Sequence, residues 1–308
     1  MRSRAVGLRP GGARKACLVL ALGLLGAVLA ACERPARAQG EDPRGINWGH
    51  TWFPPFYCEQ DGETFGVAHD VEDMLRRGMP DMRHTVAVMN TRRLLKMMEW
   101  GEQVCTTLLI RTEQREEYLA FSLPVFTSPP PAAIVRAEDR ARFGPGPVSL
   151  REVLARGDVR VAVVGSRSYG GGIDAVLADM ADTPGLAETL SEEMSGQSVR
   201  MLLSGRFDLT IAYPVEALYA ARVQEREGDI AVIPLAENRD YNVGHAACPD
   251  TPWGRGVVAH INAVLRENVG TDAYFERMSS YVPDGVSDEY RRRFEELVVR
   301  PARDGAVE

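Results

Sequence analysis

The chain is 308 residues long, 45% apolar and 26% charged, with a formal net charge of −7 at pH 7. That is ample material for one large domain or two lobes. The acidic balance argues against a nucleic-acid partner, because affinity there comes largely from cations neutralising phosphates. The five cysteines, Cys17, Cys32, Cys58, Cys105 and Cys248, fit no zinc spacing, and no metal or cofactor motif is read elsewhere.

The first element is a leader. Arg2, Arg4, Arg9, Arg14 and Lys15 precede an apolar run over residues 16–32 that ends in Leu29-Ala30-Ala31-Cys32. This is the layout of a secretory signal, so residues 1–31 are read as a signal peptide. Small residues before a cysteine resemble a bacterial lipobox, with Cys32 lipidated as the mature N-terminus. Ala36-Arg37-Ala38 offers an alternative cleavage after residue 38 that would release a soluble protein. About 15 apolar residues is short for spanning ~30 Å of hydrocarbon, which makes an uncleaved anchor the weaker reading. Every outcome places the body outside the cytoplasm; the expectation is a periplasmic protein whose membrane contact, where there is one, is through a lipid anchor. In an oxidising compartment two of the three later cysteines can pair, unbonded buried thiols being the alternative.

Ile46–Gly49 reads as a strand entering the aromatic-proline loop Trp52-Phe53-Pro54-Pro55-Phe56-Tyr57. A helix is predicted over Gly66–Arg77 with Val67, Val71, Met74 and Leu75 on one face. A strand (His84–Met89), a helix (Arg92–Trp100) and a strand (Val104–Ile110) follow. Beyond Pro129-Pro130-Pro131 comes a strand over Ala132–Arg136 and a charged, Gly/Pro-rich surface connection over 137–147. A second series runs helix 149–156, strand 159–164, loop 165–172, helices 173–182 and 197–204, strand 208–212, helix 214–222 and strand 230–234. A strand over Val243–Cys248 and helices near 254–268, 271–278 and 288–299 close the chain. Strands separated by helices indicate an α/β fold with a mainly parallel sheet.

Two segments together carry a resemblance. The first is Trp52-Phe53-Pro54-Pro55-Phe56, then Gly66, then Asp70. The second is Gly101–Cys105, then Thr112-Glu113-Gln114-Arg115, then Phe121-Ser122-Leu123-Pro124. With Val161–Ser166 entering a helix and Leu203-x-Gly205-Arg206-x-Asp208, this order resembles the type II extracellular (periplasmic) solute-binding proteins of family 3, the polar amino-acid class. The resemblance covers about residues 45–282. It implies a periplasmic-binding-protein-like α/β fold of two lobes joined by two crossing strands, with the ligand in the interlobe cleft. The first lobe would comprise 45–128 and a return segment over 240–300 that includes the C-terminal helices, and the second lobe 132–236. Ligands of open α/β sheets sit beyond the carboxyl ends of the strands, which points to the same cleft.

The resemblance places Arg115 as the main anchor of a ligand carboxylate, a grip that suits a planar guanidinium. Thr112 would support it, and Trp52 or Phe53 would lie against the apolar part of the ligand. His50 falls where amino-acid binders often carry an acid. The loop Gly165–Gly172 opens a helix and favours an anionic group through its N–H groups, with Ser166 and Arg167 the preferred contacts. Amino-acid binders place an aspartate after the second-lobe strand to meet the ligand ammonium; Tyr213 stands there instead. The reading is therefore a polar or anionic, carboxylate-bearing solute rather than a free α-amino acid. Cys105 and Cys248 lie on strands that neighbour one another in such folds, which implies a disulfide between them, with Cys58 left over.

The expected function is solute capture by lobe closure, for ABC-type uptake or for sensing. Its partners would be a small-molecule solute and an ABC-type permease or a sensor, with the protein itself a monomer. The alternative is a periplasmic enzyme on the same fold, such as a cyclohexadienyl dehydratase-like lyase, for which Glu113 and Asp208 are the nearest candidate acids. No nucleophile elbow or zinc-protease motif occurs among the scattered histidines.

Overall fold

A computed structural model describes residues 42–60, 62–189, 196–281 and 288–305. The leader, Cys32 and the cleavage site after residue 38 lie outside the described residues.

The first stretch runs β1 (Gly45–His50), β2 (Cys58–Gln60), β3 (Glu63–Phe65), α1 (Val67–Gly78), β4 (Arg83–Val88), α2 (Thr91–Glu99), β5 (Val104–Ile110), α3 (Glu113–Glu116) and β6 (Leu119–Ser128). The second runs β7 (Ala132–Arg136), a 3-10 helix (Ala137–Phe143), α4 (Leu150–Arg156), β8 (Val161–Val164), α5 (Gly171–Asp179), β9 (Leu186–Thr189), α6 (Gly196–Leu203), β10 (Leu209–Ala212), α7 (Pro214–Arg222) and β11 (Ile230–Pro234). The chain returns through β12 (Asn242–Pro249), α8 (Pro252–Asn268), α9 (Asp272–Ser279), α10 (Asp288–Phe294), a π turn (Glu295–Val299) and α11 (Arg300–Asp304).

The strands form two five-stranded sheets, ordered β4-β1-β5-β12-β6 and β11-β7-β10-β8-β9. β6 leaves the first sheet and the triple proline carries the chain to β7; β12 brings it back from β11. This is a two-lobe α/β architecture with two crossings. The expectation of a mainly parallel sheet is corrected. β1 pairs in parallel with β4 and β5, and β8 with β9 and β10, but β6, β7, β11 and β12 all pair antiparallel. One strand in each sheet, β12 in the first and β7 in the second, runs against the βαβ strands, and β6 and β11 beyond them run with the βαβ strands again. Two local readings also change. Leu119–Ser128, read only as a motif, is a strand buried at every residue but Ala120, and the expected surface connection forms 3-10 turns over Ala137–Phe143.

Each sheet is covered by apolar helix faces. Val67, Val71 and Leu75 of α1 and Val257, Ile261 and Leu265 of α8 pack with Trp48 and Leu123 of the first sheet. Val153, Leu154, Ile173 and Val176 pack with Val161, Leu209 and Ile211 of the second. Burying each such side chain contributes about 1.5–3 kcal/mol. Cys105 on β5 and Cys248 on β12 form a disulfide, and Cys58 is a buried free thiol whose pKa burial pushes up to about 12. From α10 onward Tyr290, Phe294, Val298, Val299 and Ala302 are buried. The Tyr290 hydroxyl donates to the Thr127 carbonyl of β6 at 3.1 Å.

Candidate ligand-binding site

The aromatic loop after β1 is held as a tight turn. Phe53 N–H donates to the Tyr57 carbonyl at 2.8 Å, and Phe56 N–H to the Phe53 carbonyl at 2.6 Å. Gly66 lets the next segment pass close beneath. Its φ is 116°, and a Cβ there would stand 2.3 Å from the Phe56 carbonyl oxygen, so only glycine fits. The turn directs Phe53, Phe56 and Tyr57 into a cavity of about 100 Å³ between the two sheets. His50, Leu108, Arg115 and Phe126 complete the wall from the first lobe; Arg167, Ser168 and Tyr213 close it from the second, with Ser128 and Asn242 at the crossings. Arg115, Ile110, Arg167 and Ser168 also border a wider cleft of about 1320 Å³ that opens toward Glu113 and Glu188.

Arg115 stands at the waist between cavity and cleft. Thr112 caps α3, its hydroxyl accepting from the Arg115 N–H at 3.3 Å, which fixes where the side chain starts. The residue is 7% exposed. Nη1 donates to the Ile110 carbonyl at 2.7 Å, and Nη2 reaches across to the Ser166 carbonyl of the other lobe at 3.3 Å. Ser166 presents that carbonyl from a left-handed backbone, φ 63°, which is uncommon for a side-chain-bearing residue. Burial lowers the Arg115 pKa, but a guanidinium starts so high that it stays charged. Among the described residues no carboxylate forms an ion pair with it.

Arg167 has a different situation. Nη2 binds both Glu216 carboxylate oxygens, at 2.8 and 3.0 Å, and the pair is 3% and 0% exposed. The guanidinium carbon lies 5.0 Å from the ring centres of Phe53 and Tyr169 and 5.1 Å from that of Tyr213. Burial opposes its charge, yet the Glu216 carboxylate holds its pKa above the ordinary value. Glu216 is itself placed by α7, where its Oε2 accepts from the Tyr213 N–H at 3.1 Å.

His50 lines the cavity through a buried pair. Nε2 lies 2.8 Å from Glu72 Oε2, Arg76 donates to Glu72 Oε1 at 3.1 Å, and the imidazole stacks on Tyr57 with ring centres 4.1 Å apart. Burial lowers the His50 pKa despite the carboxylate beside it. Burial alone would raise Glu72, but His50 and Arg76 hold it below the usual carboxylate value. A neutral imidazole that donates from Nε2 to an ionised Glu72 leaves Nδ1 as an acceptor.

The structure therefore brings His50, Phe53, Arg115, Arg167 and Tyr213 to one cavity. Thr112 and Ser166 line the outer cleft, and Trp52 borders neither. Of the two acids considered for an enzyme, Glu113 lines the outer cleft. Asp208 borders neither space: hydrogen bonds from Arg160, and from Arg136, lock it and hold its pKa far below the ordinary carboxylate value. Sequence reasoning missed Glu72, Tyr169, Glu216 and Asn242. Glu72 had a legible signal, an acid interrupting the apolar face of α1. No described helix is long and apolar enough to cross a membrane, and no cluster of three or more metal-type ligands occurs among the described residues.

This arrangement is the fold of two-lobe periplasmic-binding-protein-like proteins. The chain is similar to the arginine-, lysine-, histidine-binding protein ArtJ of Geobacillus stearothermophilus, at 15% identity and TM-score 0.61, covering 80% of this chain and 99% of that one. It is also similar to an ancestral arginine-binding protein bound to arginine, at 17% identity and TM-score 0.60, covering 77% and 98%. A histidine kinase sensor domain with similarity to periplasmic binding proteins matches at 17% identity and TM-score 0.62, covering 77% and 96%. No family model matches the sequence, and no curated protein matches it.

Proposed function

We propose that the protein captures a small carboxylate-bearing solute between its lobes, outside the cytoplasm, as a family 3-like solute-binding protein serving uptake or sensing. The observation that carries this is the buried Arg115 guanidinium, bound among the described residues only to carbonyls, in a cavity whose described lining has two arginines and no acidic side chain. A guanidinium has five N–H donors and here spends two on carbonyls, so a carboxylate can take the rest in a charge-assisted bond. Apolar and aromatic walls from Phe53, Phe56, Leu108 and Phe126 suit a compact hydrocarbon portion. Binding proteins and a sensor domain sharing the fold support capture over turnover, as does the ion-paired state of Asp208. Residues 1–31 would act as the export signal, with Cys32 the lipid anchor.

Native mass spectrometry of the purified protein, followed by titration with short monocarboxylates, tests the reading. A bound organic acid, or saturable binding weakened at least about tenfold in Arg115→Gln, is expected. Binding of cations with indifference to carboxylates would overturn it.

A further inference from the structure

Three aromatic rings and a carboxylate around one point are the walls of a box for an organic cation. In this protein the box consists of Phe53, Tyr169, Tyr213 and Glu216, and the chain's own Arg167 fills it, with all three rings 5.0–5.1 Å from the guanidinium carbon. The walls are individually anchored. The Tyr169 hydroxyl accepts from the Val164 N–H at 2.8 Å, and the Tyr213 hydroxyl accepts from Asn242 Nδ2 at 2.7 Å. Phe53 comes from the first lobe and the other members from the second, so the filled box also joins the two sides of the cavity. Arg167, Phe53 and Tyr213 all border the cavity that holds Arg115.

We propose that Arg167 is a built-in guest that determines specificity. By occupying the carboxylate-containing box at the cavity wall and pairing with Glu216, it leaves no acidic group to meet a ligand's ammonium. Carboxylates without an α-ammonium are accepted, and the corresponding α-amino acids are rejected. This deepens the carboxylate reading above and rests on it for the ligand's anionic end. The content of the box stands separately.

Two measurements test it. The first uses the wild-type protein and matched pairs of 3-phenylpropionate with L-phenylalanine and butyrate with 2-aminobutyrate, followed by calorimetric titration. At least tenfold tighter binding of the acid is expected within any pair that binds; equal or tighter binding of the amino acid overturns the specificity role. The second uses Arg167→Ala and millimolar guanidinium chloride, well below denaturing concentrations. A saturable rise of the thermal midpoint is expected in R167A. It should be absent in the wild type, in sodium chloride at equal ionic strength, and in the double variant R167A/E216Q. No rise in R167A overturns the box. Should no acid and no amino acid bind the wild type, the carboxylate reading falls while the guanidinium result still decides whether the box exists. If R167A does not fold, its recovery in soluble form on refolding with guanidinium, compared with sodium chloride, serves as the readout.

Discussion

Arg115 in the first lobe donates from Nη2 to the Ser166 carbonyl oxygen in the second, 3.3 Å away across the cleft. The group proposed to hold the solute's anionic end is thus also a contact between lobes. A ligand that engaged the guanidinium would do so at this contact, which would give it different affinities for open and closed arrangements.

Replacing Arg115 with glutamine keeps some donor capacity but removes the charge and the fork. A hydrogen bond to a charged group is worth about 1.5–3 kcal/mol, so carboxylate affinity should fall about ten- to a hundredfold. Calorimetric titration reads this, with circular dichroism confirming that the fold is kept. An unchanged affinity would move the anion elsewhere.

Glu72 sits between His50 and Arg76 with its side chain 2% exposed. Truncation in Glu72→Ala leaves the Arg76 charge and the His50 N–H without their shared acceptor. Breaking a buried pair from one side costs about 3–5 kcal/mol, and the half-exposed Arg76 places this case at the lower end, near about 3 kcal/mol. Urea denaturation measures it; Glu72→Gln, which preserves volume and an acceptor, should lose less.

The Cys105–Cys248 bond closes a loop with a sequence separation of 143 residues. Cross-links of this kind stabilise by about 2–5 kcal/mol, chiefly by restricting the unfolded chain. The double variant Cys105→Ala/Cys248→Ala should unfold at correspondingly lower urea, and reduction of the wild type should produce the same shift.

His245 is buried on β12, its Nδ1 2.8 Å from the Ser122 carbonyl, and burial pushes its pKa down from 6.5 to about 4. Between those two values the unfolded chain takes up a proton that the folded protein refuses. Stability is therefore fully present above pH 6.5 and falls as the pH drops toward 4, by about 3 kcal/mol for this group. His50, also lowered by burial, acts in the same direction. Urea midpoints across pH 4–8 should show the slope, and His245→Gln should flatten it.

The two-lobe plan was legible because motif order survives where identity does not. Trp52–Phe56, Gly66, Thr112–Arg115 and Phe121–Pro124 lie on the loops and strands that build the first lobe. The antiparallel character of the crossings was not legible, since strand direction depends on where a distant segment re-enters the sheet. β6 escaped because Pro124 interrupts a run that otherwise reads as buried strand; β12 accommodates it with register shifts near His245. The pairing of Arg167 with Glu216, 49 residues away on α7, lies beyond the reach of a local sequence pattern, although Glu216 three residues after Tyr213 carries the mark of a capping acid.

The first sheet is assembled from β1, β4, β5 and β6 and then, more than a hundred residues after β6 begins, from β12, which sits between β5 and β6. Strands of the second sheet all lie within the intervening stretch. A nascent chain emerging N-terminus first can thus finish its later sheet while the earlier one still has a gap in its middle. Truncation between β6 and β12 should leave β5 and β6 as two unzipped edges, and such fragments should aggregate rather than persist as half-proteins.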